Sequence, residues 1–341
     1  MSSNTRLLFL DIAKVICIVL VVIGHYMPEG CPVWWSYINK IIYSFHMPLF
    51  MFASGFIYIA TKKNIPYFKF LHKKFRRLMI PYLAISAMII TIKLLSQGQA
   101  YVQNPVTVMS YGRMFYLPEA GYFLWFIWAL WWMFVLVPFF RKKEYRLLLF
   151  VVSLIIHYLP ISITDYFCFN QYKNFLVYFM SGIIVFDYKK SFIFLKKIPA
   201  ILYFISFIIV ESLTLLDVSK YTLLCQIANL VIPFFGISFI ISLSNQIEDG
   251  LCKDYQGRIL IISGSTYIIY LLHTTFMGVA KALVHKLPFM TDYSNDIIFT
   301  FGASFVVACG LLVPILLYEF FIKKNNTARF VFGLKPIVKN E

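Results

Sequence analysis

Residues 7–27 read LLFLDIAKVICIVLVVIGHYM, an apolar run of bilayer-crossing length that carries three ionisable side chains, Asp11, Lys14 and His25. A run of about 20 apolar residues matches the roughly 30 Å hydrocarbon core, and ionisable groups inside such a run face the protein interior. At 100° per residue, Lys14 lies about 60° and His25 about 40° from Asp11, so the three share one face. The stretch also lacks a small-residue cleavage site, which separates it from a secretory signal.

The rest of the chain repeats this pattern. Of its 341 residues, 60% are hydrophobic and 13% charged, against roughly 45–50% and 25% in soluble domains. The mean hydropathy is +0.77. Soluble, fibrous and disordered classes are excluded. Ten segments are expected as spans: 7–27, 37–60, 78–95, 122–140, 147–163, 172–188, 198–217, 222–243, 259–284 and 297–322. The connections between them are too short for a soluble domain, so residues 1–341 are read as one transmembrane domain, with 323–341 as a tail.

The net charge of +16 is not spread evenly. Cations gather at Arg6, from Lys62 to Arg77, Arg141 to Arg146 and Lys189 to Lys197, at Lys253 with Arg258, and in the tail from Lys323. The alternate loops hold Arg113, Lys173, Lys220 and Lys286. This asymmetry implies an all-α polytopic helical bundle with both termini cytoplasmic. It also removes a nucleic-acid partner, since no basic domain stands outside the apolar segments.

Further polar groups fall where they are costly. SFHMPLFMFASGF places His46 about three turns below the outer surface, with Pro48 and Gly55 permitting a kink and close helix approach. STYIIYLLHTTFM places His273 about two-thirds of the way outward. Three histidines on three segments suit a polar cavity in the outer half of the membrane. A single interfacial histidine, or an Asp11–Lys14 pair that only lowers insertion cost, is the plainer alternative. Glu119 and Trp125, at the outer end of the aromatic run GYFLWFIWALWWMF, can wall a substrate cleft or belong to an interfacial girdle.

The tract KFLHKKFRRLMIPY sets Lys73, Lys74, Arg76 and Arg77 before the third segment. Three readings stay open: a topology signal, an acidic-lipid contact, or a polyphosphate clamp with Pro81 breaking the helix where a ligand enters. The six cysteines form no CxxC or Cys/His metal pattern, so no metal is expected. Cys31 and Cys168 fall in external loops, where a disulfide between them is one option, and small apolar filler is the better reading for most of the six. No inverted repeat of the transporter kind is found.

In order along the chain, LDIAKVICIVLVVIGH (Leu10 to His25), FHMPLFMFASGF (Phe45 to Phe56), KKFRRLMIPY (Lys73 to Tyr82), LWF (Leu124 to Phe126) and STYIIYLLH (Ser265 to His273) resemble the acyltransferase-3 family of bacterial membrane acyltransferases. The family pairs a basic residue, usually Arg, with a histidine about ten positions on; here Lys14 and His25 take those places. Its second signature, two arginines separated by two residues, is met only by Lys73 with Arg76 or Lys74 with Arg77.

The resemblance implies transfer of an acyl group, usually acetyl, from cytoplasmic acetyl-CoA to a hydroxyl of an extracytoplasmic glycan or lipid-linked saccharide, in a bacterial inner membrane. On that reading Lys73, Lys74, Arg76 and Arg77 hold the phosphates of the donor. His25 acts as general base or accepts the acyl group, Lys14 with Asp11 stabilises charge on the thioester, and His46, His273, Trp125 and Glu119 orient the acceptor. An extended pantetheine arm of roughly 15–20 Å is comparable with the rise of about 16 Å from Lys14 to His25. The competing class is a proton-coupled transporter or flippase of a lipid-linked glycan that uses the same histidines as a relay; a non-catalytic scaffold is a third. Small residues Gly302, Ala303, Ala308 and Gly310 leave room for a homo-oligomer.

Overall fold

A computed structural model of the chain describes residues 7–98, 102, 104–216, 223–287, 293 and 295–337. Arg6 and Lys220, used above for topology, lie outside the described residues, as do the side chains of 215, 216, 223–226, 253 and 254. The described residues are helical and contain no strand. The α-helices are α1 (Leu8–Gly24), α2 (Val33–Ala60), α3 (Tyr67–Ser96), α4 (Ser110–Arg113), α5 (Trp125–Leu136), α6 (Lys143–Tyr158) and α7 (Phe169–Asp187). They continue with α8 (Lys189–Lys197), α9 (Ala200–Leu216), α10 (Leu223–Gly250), α11 (Lys253–His285), α12 (Asp296–Phe320) and α13 (Asn326–Val331).

Each of the ten expected segments coincides with one of these helices. Among the described residues, six helical runs are long and apolar enough to cross a membrane: Val33–Ala60, Tyr67–Ser96, Tyr122–Phe139, Ile227–Gly250, Tyr255–His285 and Asp296–Lys324. The bent pair α8–α9 makes a seventh if counted as one span. The first helix, with 17 residues, stands at the short end of the range for a spanning helix, and α6, with 16, just below it.

Boundaries differ where charge meets apolar sequence. The third helix starts at Tyr67, directly after Pro66, not near residue 78. Proline is well suited to a helix start, and the long stems of Lys and Arg let a helix continue past the apolar region with its charges in water. Pro81 does not break α3, which continues to Ser96. At α12 the Asn295 side chain accepts from the backbone N–H groups of Ile297 and Ile298, at 3.0 and 3.3 Å, a side-chain N-cap.

The chain clusters into two compact units, each built from three discontinuous stretches: residues 1–63, 140–160 and 175–266 in the first, and 64–139, 161–174 and 267–341 in the second. In the first, α1, α2 and α10 pack on one another and α9 packs on α10. Their core holds Phe9, Leu10, Ile18, Leu49, Met51 and Phe52. Helices α2 and α7 cross backbone to backbone. A methyl at Gly55 would collide with the Phe179 carbonyl, and one at Gly182 with the Phe52 carbonyl. The close approach expected at Gly55 is thus real, and Gly182 is its reciprocal partner.

Arg146, counted above among loop cations, is buried. Its guanidinium forks onto Asp187, Nε to Oδ2 at 2.7 Å and Nη2 to Oδ1 at 2.8 Å, and Nη1 donates to the Arg141 and Phe140 carbonyls. Nearby, burial first and then Arg146 and Arg141 depress the pKa of Lys62.

In the second unit α3 packs on α5 and α13 packs on α3. Tyrosine hydroxyls tie its backbone carbonyls: Tyr82 donates to that of Met114 at 2.6 Å, Tyr270 to that of Phe123 at 2.7 Å, and Tyr267, at 3.1 Å, to that of Arg77 inside α3, four residues before Pro81. The expected tail therefore contains a helix held against α3. Gly333, with φ of 66°, lies where a Cβ would come within 2.7 Å of the Arg77 carbonyl oxygen. Of the small residues on α12, Gly302, Ala303 and Gly310 are buried and Ala308 is half-buried. Cys31 and Cys168 are both free thiols, which corrects the disulfide option; burial pushes the Cys168 thiol up to about 12.

The α2–α7 crossing is the most sensitive packing point. Gly182→Val is expected to cost about 3 kcal/mol, because neither backbone can withdraw without opening the core. Gly278→Ala, at a helical site with open space around it, is expected to be neutral or to stabilise by about 0.5–1 kcal/mol. Thermal unfolding of both variants in the same detergent checks the contrast.

Candidate functional site

The candidate site residues of the first unit form two groups. The first centres on Asp11, 4% exposed among the apolar side chains of α1. Its Oδ1 accepts from Lys14 Nζ at 2.6 Å, one helical turn on, and from Ser263 Oγ on α11, also at 2.6 Å. A carboxylate in apolar surroundings is retained only with such charge-assisted partners. The arrangement presents the Lys14 ammonium, about a quarter exposed, as a fixed positive charge. Ser263 was not legible in the sequence. Its only signal is the small polar run Ser263, Gly264, Ser265 within an apolar helix.

The second group joins two of the expected histidines through a residue that the sequence reading passed over. His25 caps the C-terminal end of α1 and is half-buried. Its ring meets Tyr43 edge-on at 6.2 Å, and Tyr43 meets His46 edge-on at 4.9 Å. His46 is 3% exposed. Its Nδ1 lies 2.8 Å from the Ile42 carbonyl, which accepts only, so Nδ1 carries the proton and a neutral ring keeps Nε2 as its acceptor. Cys17 Sγ donates to the His46 carbonyl at 3.2 Å. Tyr43 stands three residues before His46, one turn along the same face, and that spacing was the available signal.

The second unit holds the remaining candidates. His273 is fully buried, with Nδ1 at 3.0 and 2.8 Å from the Ile269 and Tyr270 carbonyls and its ring 5.3 Å from that of Phe123. The same reasoning fixes its proton on Nδ1 in the neutral form. Trp125 opens α5 with its ring 6.2 Å from Phe126. Glu119 makes an ion pair with Arg113 at 3.0 Å, a partner that the sequence reading did not assign.

The basic tract divides. Lys73, Arg76 and Arg77 are exposed and, at spacings of three and four, share one face of α3. Lys74 leaves that face. Its ammonium sits 3.6 Å above the Phe134 ring and 5.4 Å from that of Phe70, a cation–π seat that covers aromatic surface. The Arg76 guanidinium lies 5.4 Å over Phe330 of α13. Of the two ways to place paired cations with two residues between them, Lys73 with Arg76 has both residues exposed. Among the described residues, no group of three or more His, Cys, Asp or Glu is placed to hold a metal ion.

Comparison with known proteins adds a family. A profile described as an acyltransferase domain matches residues 7–319. Two curated relatives are similar over shorter stretches, both named nodulation protein NolL. That of Sinorhizobium fredii is 30% identical over 170 residues, 48% of this chain and 45% of the relative. That of Mesorhizobium japonicum is 31% identical over 141 residues, 40% of this chain and 36% of the relative. The match thus spans less than half the length of either relative. No solved structure matches the chain.

The Asp11 group yields a stability test. Ser263→Ala removes a hydrogen bond to a buried charge and is expected to cost about 1.5–3 kcal/mol. Ser265→Ala, whose hydroxyl bonds only to the Ile262 carbonyl one turn back, is expected to cost less than about 1 kcal/mol. Chemical unfolding in detergent, followed by helical circular dichroism, reads the difference.

Proposed function

The chain belongs to the acyltransferase family matched over residues 7–319, and we propose from that membership that it is a multi-pass membrane O-acyltransferase. It takes an acyl group, acetyl by default, from cytoplasmic acetyl-CoA and delivers it to a hydroxyl of an extracytoplasmic glycan or lipid-linked saccharide. Ten spans with both termini cytoplasmic, in a bacterial inner membrane, complete the reading.

The observation that carries the chemistry is the makeup of α1. One helix holds a charge-fixed Lys14 on Asp11 and, at its far end, a half-buried His25 beside Tyr43. His25 takes the proton of the acceptor hydroxyl as its oxygen attacks the thioester carbonyl. The tetrahedral intermediate collapses, the carbon–sulfur bond breaks, and the imidazolium returns the proton to the departing thiolate. The products are an ester and free CoA. General-base catalysis of this kind contributes about 10² to 10⁴-fold. Lys14, about 16 Å along the helix from His25, stands too far off to touch the same thioester carbonyl; its positive charge, held on Asp11, lies instead along the path by which the donor arm reaches His25. His46, on the same tyrosine, orients the acceptor or His25; His273, Trp125 and Glu119 keep their proposed place in acceptor binding.

The exposed face of Lys73, Arg76 and Arg77 offers the donor's phosphates two guanidinium forks and a point charge. Lys74 contributes less to binding, since its head is engaged with Phe134. A flippase has no use for such a donor, which separates the competing reading.

Acetyl-CoA binding to the purified protein in lipid nanodiscs, followed by calorimetry, tests this account. The wild type is expected to bind, and Arg76→Ala/Arg77→Ala to lose at least about tenfold in affinity, as two charge-assisted contacts imply. Lys74→Met is expected to bind within about threefold of wild type. No binding to the folded wild type by acetyl-CoA or longer acyl-CoAs overturns the donor assignment.

A further inference from the structure

The corner between α8 and α9 has a construction that the acyl-transfer reading does not use. Helix α8, KKSFIFLKK, carries Lys189, Lys190, Lys196 and Lys197 and no acidic residue. It turns into α9 at 89°. The turn is fixed locally: Ile198 is extended, at φ −80° and ψ 125°, as the residue before a proline prefers, and Pro199 follows it. Ser242 of α10 clamps the corner by donating to the Ile198 carbonyl at 2.8 Å. The Tyr203 hydroxyl reaches back to the Leu195 carbonyl at 3.5 Å.

One side of α8 is docked. Phe192 sits 5.3 Å from Phe9 of α1 and 5.5 Å from Phe56 of α2, ring to ring. Lys196 Nζ lies over the Phe9 and Phe192 rings at 5.4 and 5.1 Å. The opposite side is uncovered, with Ile193 52% and Phe194 65% exposed and Lys190 and Lys197 exposed beside them, while Lys189 is exposed at the flank near Lys196. At 100° per residue, Lys190 and Lys197 fall within about 20° of each other, with Phe194 about 40° to one side and Lys189 about 100° to the other. If α9 crosses the bilayer, a helix set at 89° to it runs along the membrane plane. A short basic helix with bulky apolar side chains on its free side is built for the headgroup boundary.

We propose that α8 is an interfacial helix that binds acidic phospholipid headgroups through Lys189, Lys190 and Lys197 while Phe194 enters the acyl region. The occupant is the lipid of the adjoining leaflet, because the α9 corner holds the helix at that surface and the cations are unopposed by any acid on the helix itself. Through Phe192 the bound lipid surface also bears on α1, the helix of His25. The assignment rests on membrane embedding and not on acyl transfer.

A benzoylphenylalanine crosslinker in place of Phe194, in the full-length protein, tests it. Nanodiscs hold equal phosphatidylglycerol and phosphatidylcholine, and adducts are identified by mass spectrometry. A crosslinker replacing Phe301, 69% exposed on α12, reports bulk composition. The expected result is lipid adducts at 194 enriched about fivefold in phosphatidylglycerol over those at 301, since a lysine near an acidic surface contributes about that factor. Lys189→Gln/Lys190→Gln/Lys197→Gln is expected to return the ratio to that at 301, and the triple Arg variant to retain the enrichment. Wild-type adducts at the bulk ratio, adducts with protein alone, or no lipid adduct at 194 while 301 labels overturn the proposal. Acetyl-CoA binding measured on the same samples stays independent of this outcome.

Discussion

A charge inside an apolar helix has to be met by a partner, and the placement of Asp11 depends on that constraint. Asp11 is nearly buried, so its carboxylate is tolerable because Lys14 and Ser263 converge on one of its oxygens. The same rule shapes the Arg146–Asp187 fork, in which two charges, each nearly buried, satisfy one another and two backbone carbonyls. These contacts link α1 to α11 and α6 to α7. Each fixes one helix against another by a polar contact that has a direction, which apolar packing lacks.

Packing fills in around those contacts by close approach. The Gly55–Gly182 crossing brings two backbones together where lipid gives helices no hydrophobic reason to associate. Tyrosine hydroxyls perform the matching task in the second unit, where Tyr82 and Tyr270 occupy carbonyls outside the α-helices and Tyr267 occupies that of Arg77, which Pro81 four residues on cannot serve. The chemistry proposed for α1 therefore sits on a helix whose position is set twice, by Asp11 and Ser263 near one end and by the Tyr43 contact of His25 at the other.

Much of this was legible in the sequence, and the rest was not for identifiable reasons. Apolar runs announce helices, so each of the ten segments falls on a helix, and the one-turn spacing of Asp11 and Lys14 announces their ion pair. The start of α3 was missed because a basic tract reads as a loop, while long cationic stems let a helix run on into water. In the sequence Arg146 looks like one more topology charge, because its partner Asp187 stands 41 residues away and no local pattern ties them. Ser263 stands 252 residues from Asp11. Such pairings belong to the tertiary fold alone. The basic tract was read as four equivalent cations, and only the position of Phe134 shows that Lys74 serves a different purpose from Lys73, Arg76 and Arg77.

The central claim is that this helix protein moves an acyl group with His25 as the base. Its most direct test is transfer of radiolabelled acetyl from acetyl-CoA to envelope glycan in inside-out membrane vesicles that contain either the wild type or His25→Gln at equal folded amounts. The account requires label in the glycan fraction with release of one free CoA thiol per ester formed. It also requires a loss of about 10²-fold or more in His25→Gln, with acetyl-CoA binding retained. Equal labelling by the two proteins, or no labelling by the wild type while it binds acetyl-CoA and the glycan is present, would contradict it.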